Sequence, residues 1–184
     1  MSRPRKLERA GWPVAAIALA ALAALFWGTA VSTAWARIAA LETIEPYGFA
    51  VFEQLLFNFA DSGQFTQTIH TGYEDSWTWS GHRAATFVLS GLLYGFDPGP
   101  LTLARIQIAA VVLGVIPAAL IGRRALESAW GLLLGGAVYL GSPVALALAL
   151  QDYQDMVFAL PFLTFTLWAV RGPLWLVAIG ALVG

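Results

Sequence analysis

The 184-residue sequence contains no cysteine and few charged side chains. Without cysteine there is no disulfide framework, no thiolate metal site and no cysteine nucleophile. Charged residues make up 11% of the chain, which is less than half of the roughly 25% found in soluble domains. The formal net charge is only −1, whereas nucleic-acid-binding surfaces are strongly basic, so no nucleic-acid partner is expected.

The sequence is instead rich in apolar residues. Hydrophobic side chains make up 59% of the chain, and the mean hydropathy is +0.71. A low hydrophobicity combined with a high net charge is the signature of disorder, and this chain has neither. The composition therefore predicts an all-α integral membrane protein. We expect membrane lipid to be one of its partners.

Long uncharged apolar runs predict the membrane spans, because backbone polar groups in the bilayer must be paired within their own helix. About 20 residues are needed for a crossing. The first run follows a basic N-terminus and is longer than the apolar core of a cleaved signal peptide, which favours a retained anchor. We treat the chain as a single transmembrane domain, and we expect the sequence to be a fragment or a truncated relative of something longer. The predicted spans are 14–35, 101–122, 128–150, 156–170 and an incomplete 174–184.

The distribution of basic residues predicts the sidedness of these spans. The short run 84–96 decides it, since a crossing there would move Arg123 and Arg124 to the outside. If this run does not cross, seven of the ten basic residues fall on the cytoplasmic side, as the positive-inside rule requires. We therefore expect a multi-pass protein with a cytoplasmic N-terminus and a large external loop over 37–100.

Two helices are predicted in the external loop, over 47–61 and 84–96. In the first, Phe49, Phe52, Leu56 and Phe59 share one face at helical spacing, which is typical of a helix lying in the membrane interface. The second is a membrane-hugging or re-entrant helix. The alternative is that both helices only pack the loop onto the bundle, and the composition does not decide between the two.

The candidates for chemistry are external acids close to the bilayer. A single acid is most often a solvated surface charge, but Asp152 and Asp155 are three residues apart at the mouth of two apolar spans, where ionisable groups usually face a cavity or a partner. His82 is a metal ligand, a base or a plain amphipathic residue beside the interface. Carboxylates alone would repel a phosphate, so a divalent cation or the external Arg83 and Arg105 would have to accompany them. Snorkelling from the outer face is an equally good explanation for Arg105.

Several short motifs occur in a distinctive order along the chain. The order and spacing resemble the amino-terminal half of membrane glycosyltransferases of the GT-C type, such as lipid A aminoarabinose transferase and protein O-mannosyltransferases. They are most similar to a bacterial family of predicted membrane proteins related to those enzymes. The motifs are YGFAVFEQ at 47–54, GH at 81–82, PLTLARIQ at 100–107, and DYQD at 152–155 with ALP at 159–161.

This resemblance implies a GT-C-like helix bundle in the bacterial inner membrane and a polyprenyl-phosphate-linked sugar as the donor. Such transferases carry a catalytic Asp just after the first span, where this chain has Gly48. Glu45 and Glu53 are the acids near enough to replace it as the catalytic base. The remaining roles follow the same scheme, with Asp152, Asp155 and His82 at a divalent metal and Arg105 and Arg83 at the donor phosphate.

A second hypothesis is a non-catalytic accessory subunit of a larger membrane complex that kept the fold and lost the site. The missing Asp at Gly48 and the short chain both motivate it. A transporter is the weakest alternative, because intramembrane charge is nearly absent and no inverted repeat is evident.

Overall fold

The computed structural model describes residues 3–42, 46–66, 68–69, 85–153 and 155–170. All regular elements in this part of the chain are helical. A 3₁₀ turn, Asp155–Phe158, precedes the last helix. The helices are α1 (Arg3–Ala39), α2 (Pro46–Ser62), α3 (Ala85–Tyr94), α4 (Pro100–Leu113), α5 (Val115–Leu126), α6 (Trp130–Leu140), α7 (Pro143–Leu150) and α8 (Ala159–Ala169).

Two helical stretches in the described residues are long and apolar enough to cross a membrane. They are Gly11–Ala39 within α1 and Pro100–Leu126, which combines α4 and α5. Helices α6 and α7 form a third candidate if they count as one span, although their axes differ by 55°. These stretches overlap the predicted spans 14–35, 101–122 and 128–150.

The bend between α6 and α7 has a local cause in the sequence. Pro143 occupies the first turn of α7, where its missing N–H costs nothing but where it cannot continue the helix before it. The Ser142 hydroxyl accepts a hydrogen bond from the Ala145 N–H at 3.2 Å and so caps the new helix. The predicted run 128–150 is therefore two helices rather than one straight span.

The predicted span over 156–170 has a different form in the structure. Its first residues belong to the 3₁₀ turn, and α8 that follows has 11 residues. At 1.5 Å per residue such a helix covers about 17 Å, roughly half of the hydrocarbon thickness. Within the described residues the apolar helix of this segment is α8 alone, and a crossing over 156–170 stays a prediction. The predicted segment 174–184 lies outside the described residues.

Helices α5 and α6 form a closely packed antiparallel hairpin. A Cβ atom added at Gly135 would lie 3.0 Å from the Gly122 Cα and 3.1 Å from its nitrogen, and one at Gly131 would lie 2.7 Å from the Arg123 Cα. Small residues let the two backbones touch, which is how transmembrane helices associate without a hydrophobic driving force between them.

Contacts between distant residues show which helix ends lie together. Arg37, Ala104 and Asp152 line one small cavity, and we call this part of the bundle the Arg37 end. At the opposite end of α1, the guanidinium of Arg123 lies 4.2 Å from the centre of the Trp12 ring, and we call this part the Trp12 end. The spans therefore alternate in direction between the two ends.

The segment between α1 and α4 begins and finishes at the Arg37 end. Helix α3, with 10 residues, packs against α2 and the start of α4. A Cβ atom at Gly91 would overlap the Phe59 ring, so α2 and α3 are in close contact there. Since α1 ends and α4 begins at the same end, α3 does not run from one end of the bundle to the other.

Helix α2 packs its apolar face onto the bundle. Val51, Leu55 and Leu56 are at most 1% exposed, and the Phe52 ring meets the Tyr153 ring edge-on at 5.3 Å. Phe52, one of the phenylalanines predicted to dip into lipid, is thus covered by protein side chains, and the interfacial placement of α2 stays a prediction.

Candidate functional site

Arg37, in the last turn of α1, connects three chain segments at the Arg37 end. Its Nη2 atom donates to the Asp152 Oδ1 at 3.1 Å, and its Nε donates to the Glu42 carbonyl at 3.2 Å. Its Nη1 donates to the Leu150 carbonyl at the end of α7. The side chains of Arg37 and Asp152 are 22% and 10% exposed, so Asp152 belongs to a largely buried ion pair.

Gln107 pairs further backbone carbonyls at the C-terminal end of α7. Its Nε2 atom donates to the Leu148 carbonyl at 2.8 Å and to the Gln151 carbonyl at 2.9 Å. The last carbonyls of a helix have no partner within that helix, and leaving them unpaired at membrane depth is costly. Gln107 and Arg37 together pair three of these carbonyls and fix the position of Asp152.

The cavity beside this ion pair is small. It has a volume of about 20 Å³ and is lined also by Ala34, Ile38 and Phe49. A water molecule needs about 10–15 Å³ on this measure. The cavity therefore has room for one water and not for a sugar.

Glu53 on α2 is the second acid that the structure places at the Arg37 end. Tyr94, which is 2% exposed, donates its hydroxyl to the Glu53 Oε1 at 3.3 Å. Burial raises the pKa of Glu53, and the hydrogen bond from Tyr94 opposes that shift. The pKa of Tyr94 is raised to about 12 by burial and by the adjacent carboxylate. A carboxylate with an elevated pKa beside a hydroxyl donor is suited to accepting a proton.

Arg105 also lies near the Arg37 end, one residue after the cavity-lining Ala104. Its Nη1 atom lies 2.8 Å from the Asp97 Oδ2, and the Thr102 hydroxyl donates to the same oxygen at 3.3 Å. Both charged side chains are substantially exposed. Arg105 is therefore placed beside the start of α4, with its guanidinium paired to Asp97.

The two acids lie in adjacent parts of the structure without sharing the small cavity. Phe49 and Phe52, on the helix that carries Glu53, contact the segment that carries Asp152. The Tyr153 hydroxyl donates to the Ser90 hydroxyl on α3 at 2.9 Å. Helices α2 and α3 and residues 151–153 are thus packed into one unit, in which Glu53 is not a lining residue of the cavity beside Asp152.

The other predicted site residues are not positioned by the structure. Glu45, His82 and Arg83 lie outside the described residues, and only the backbone of Asp155 is described. Within the described residues no group of three or more His, Asp or Glu side chains is arranged to hold a metal ion. The metal site at Asp152, Asp155 and His82 therefore stays a prediction.

Sequence reasoning missed Arg37, Gln107 and Tyr94. Arg37 was available as a basic residue in the last turn of a span, a position that favours contact with helix carbonyls. Gln107 was available as a polar residue inside an apolar run. Tyr94 gave no comparable signal, since a tyrosine near the interface is ordinary.

Comparison with known proteins identifies one family. A family model described as a predicted membrane protein (DUF2079) matches residues 41–183, which is more than half of the chain. No curated protein and no solved structure matches the chain significantly.

Proposed function

The chain belongs to the DUF2079 family of predicted membrane proteins, and on this premise we propose that it is a GT-C-like glycosyltransferase using a polyprenyl-phosphate-linked sugar. One observation carries the proposal. Glu53, a half-buried carboxylate with a raised pKa, is held by Tyr94 at the same end of the bundle as Asp152. In this scheme the N-terminus lies in the cytoplasm of a bacterium, and the Arg37 end faces the outside of the inner membrane.

Glu53 acts as the general base in this proposal. Its carboxylate accepts the proton of an acceptor hydroxyl while the hydroxyl oxygen bonds to the anomeric carbon and the bond to the donor phosphate breaks. A base with a pKa nearer to the working pH transfers protons more effectively. Burial against the bundle moves Glu53 in that direction. Glu45 is the second acid proposed for this role.

A lipid-linked donor also needs an apolar path beside the polar site. A groove of about 260 Å³ runs between α1 and α7, is lined by Phe26, Ala30, Leu146 and Ala149 among others, and reaches Leu150. The Leu150 carbonyl is the one that Arg37 binds. The prenyl chain would lie in this groove with its phosphate towards the Arg37 end.

The phosphate would be held by Arg105, once it exchanges Asp97 for the donor, and by Arg83. A divalent metal at Asp152, Asp155 and His82 would supply further positive charge. Arg37 already binds Asp152 at 3.1 Å, and the described residues contain no complete metal-binding group. Of the three proposed ligands only Asp152 has a described side chain, so the metal stays a prediction and no step of the proposed reaction is routed through it.

The test is sugar transfer from a polyprenyl-phosphate-linked donor by the purified chain in proteoliposomes. Glu53→Gln removes the base and is expected to lower the rate by about 10²–10⁴-fold. Glu42→Gln is the matched control, because Glu42 is an exposed acid at the same end of the bundle. Full activity of Glu53→Gln, or no transfer by the wild type, contradicts the proposal.

A second candidate function is a non-catalytic subunit of a larger membrane complex. The observation that favours it is that the polar side chains already have protein partners, since Asp152 binds Arg37 and Arg105 binds Asp97. The cavity beside Asp152 has room for one water only. Mild solubilisation and co-purification test it. Isolation with other membrane proteins and no turnover supports the subunit, whereas turnover by the isolated chain removes it.

A further inference from the structure

A large cavity lies at the Trp12 end, opposite the site discussed above. Its volume is about 610 Å³, and it is lined by Leu120, Arg123, Arg124, Glu127 and Trp168. Pockets that hold small ligands measure about 300–1,000 Å³. We propose that this cavity binds the phosphate group of an anionic phospholipid. The inference does not depend on the proposed transferase activity.

Two arginines provide the charge for this site, and both are held in place. They occupy the last turn of α5. The guanidinium of Arg123 lies over the Trp12 ring at 4.2 Å. Arg124 donates from Nη1 to the Trp168 carbonyl at 2.8 Å and lies over the Trp168 ring at 5.6 Å. A guanidinium has five N–H donors, so these contacts orient the side chains and leave donors for an anion.

The cavity lies where two candidate membrane spans have their ends, the level expected for lipid headgroups. Arg123 and Arg124 are in the last residues of the candidate span Pro100–Leu126, and Trp12 is beside the start of Gly11–Ala39. Tryptophan rings concentrate at this level of the membrane. Leu120 lies one helical turn deeper than Arg124 and offers an apolar wall to an acyl chain. A ligand with a phosphate and a lipid tail fits this order of side chains.

The charges around the cavity favour the binding of an anion, and Glu127 is the lining residue that opposes it. Among the described residues no carboxylate forms an ion pair with Arg123 or Arg124. Glu127 lines the same cavity as the exposed residue that ends α5, and its carboxylate repels a phosphate. Basic pockets at the cytoplasmic ends of membrane helices bind anionic headgroups through this type of charge excess. Removing Glu127 should therefore strengthen binding, and removing the arginines should weaken it.

The experiment measures lipid retention by the purified full chain in detergent, using native mass spectrometry with added phosphatidylglycerol or phosphatidylcholine. We expect preferential retention of phosphatidylglycerol. Each basic residue near a membrane surface contributes about fivefold to binding an anionic lipid. Arg123→Gln with Arg124→Gln should weaken retention about 25-fold, and the matched lysine double variant should keep most of it.

Glu127→Gln provides a test with little risk to folding, because both arginines remain. It should tighten phosphatidylglycerol binding by about fivefold, while the matched variant Glu42→Gln at the Arg37 end should leave it unchanged. Equal retention of the two lipids, or no effect of Glu127→Gln, overturns the proposal. Displacement of phosphatidylglycerol by an equal concentration of inorganic phosphate would assign the cavity to a soluble anion and overturn the lipid assignment.

Discussion

At the residue scale, Gln107 and Arg37 are the polar side chains that stabilise the Arg37 end. Helix α7 stops at Leu150, and the carbonyls of its last turn are paired by Gln107 and Arg37. An unpaired buried polar group costs about 1–3 kcal/mol. The interaction of Arg37 with Asp152 adds a charge-assisted hydrogen bond to the same structure. The position of the acid at 152 therefore depends on a residue at the end of the first span.

Arg37→Gln is expected to destabilise the protein by about 1–3 kcal/mol, because it removes the charged partner of Asp152 and a hydrogen-bond donor to the Leu150 carbonyl. A double-mutant cycle with Asp152→Asn should give a coupling energy of about 0.5–3 kcal/mol. Unfolding in detergent, followed by circular dichroism, measures both quantities. Strictly additive effects of the two substitutions would show that the ion pair contributes nothing to stability.

The raised pKa of Glu53 predicts how stability depends on pH. Burial makes the folded protein hold this proton to a higher pH than the unfolded chain, in which glutamate has its ordinary pKa of 4.5. The stabilisation is complete below that value and is lost as the pH rises through the folded pKa. The contribution of Glu53 to the melting temperature should therefore fall as the pH is raised above 4.5.

Glu53→Gln should remove this part of the pH dependence, since the amide does not titrate. Glu42→Gln, at an exposed acid, should retain the slope of the wild type. Melting curves of the three proteins across the same pH series make the comparison. Identical slopes for the wild type and Glu53→Gln would show that Glu53 is not desolvated on folding.

The sequence identified Glu53 and Asp152 because acids stand out in an apolar chain. It could not identify their partners. Tyr94 is 41 positions from Glu53, and Arg37 is 115 positions from Asp152. Periodicity and hydropathy describe neighbours within a segment, whereas these pairs exist only after distant segments pack together. The same limit applies to Gln107, whose acceptors lie on another helix.

At the element scale, composition predicts where helices form better than where they end. The apolar runs at 14–35 and 101–122 fall within long helices, because one uniform run is enough to specify a span. The run 128–150 is bent at Pro143, and the run 156–170 begins in a 3₁₀ turn. Both departures come from local backbone chemistry, to which average hydropathy is insensitive. The amphipathic face of α2 could be predicted from the sequence, but an apolar stripe does not reveal whether lipid or protein covers it.

The hairpin of α5 and α6 depends on glycine at the contact. Gly135→Val would place side-chain atoms against Ala118 and Gly122, and overpacking of this kind costs about 1–3 kcal/mol. Gly28→Ala is the control, since nothing lies within 4 Å of an added Cβ there, and alanine favours a helix over glycine by about 1 kcal/mol. Thermal unfolding in detergent should show a loss for the first variant and no loss for the second. Equal stability of Gly135→Val and the wild type would contradict the close packing.

At the scale of the whole molecule, different polar side chains lie at the two ends of the bundle. The Arg37 end carries the acids of the proposed transferase site, and the Trp12 end carries the arginines of the proposed lipid site. This separation follows from one feature, namely that the segment between α1 and α4 returns to the end from which it started. A crossing by 84–96 would exchange the ends for every residue after α3.

Cysteine labelling tests this arrangement most directly, because the chain has no cysteine of its own. Single cysteines at Ser62, Asp97 and Glu127 would be exposed to a membrane-impermeant maleimide in oriented vesicles. We predict that Ser62→Cys and Asp97→Cys react from the same side and that Glu127→Cys reacts only from the other. Reaction of Ser62→Cys and Asp97→Cys from opposite sides would show that the 84–96 run crosses, and would contradict this arrangement of the helices.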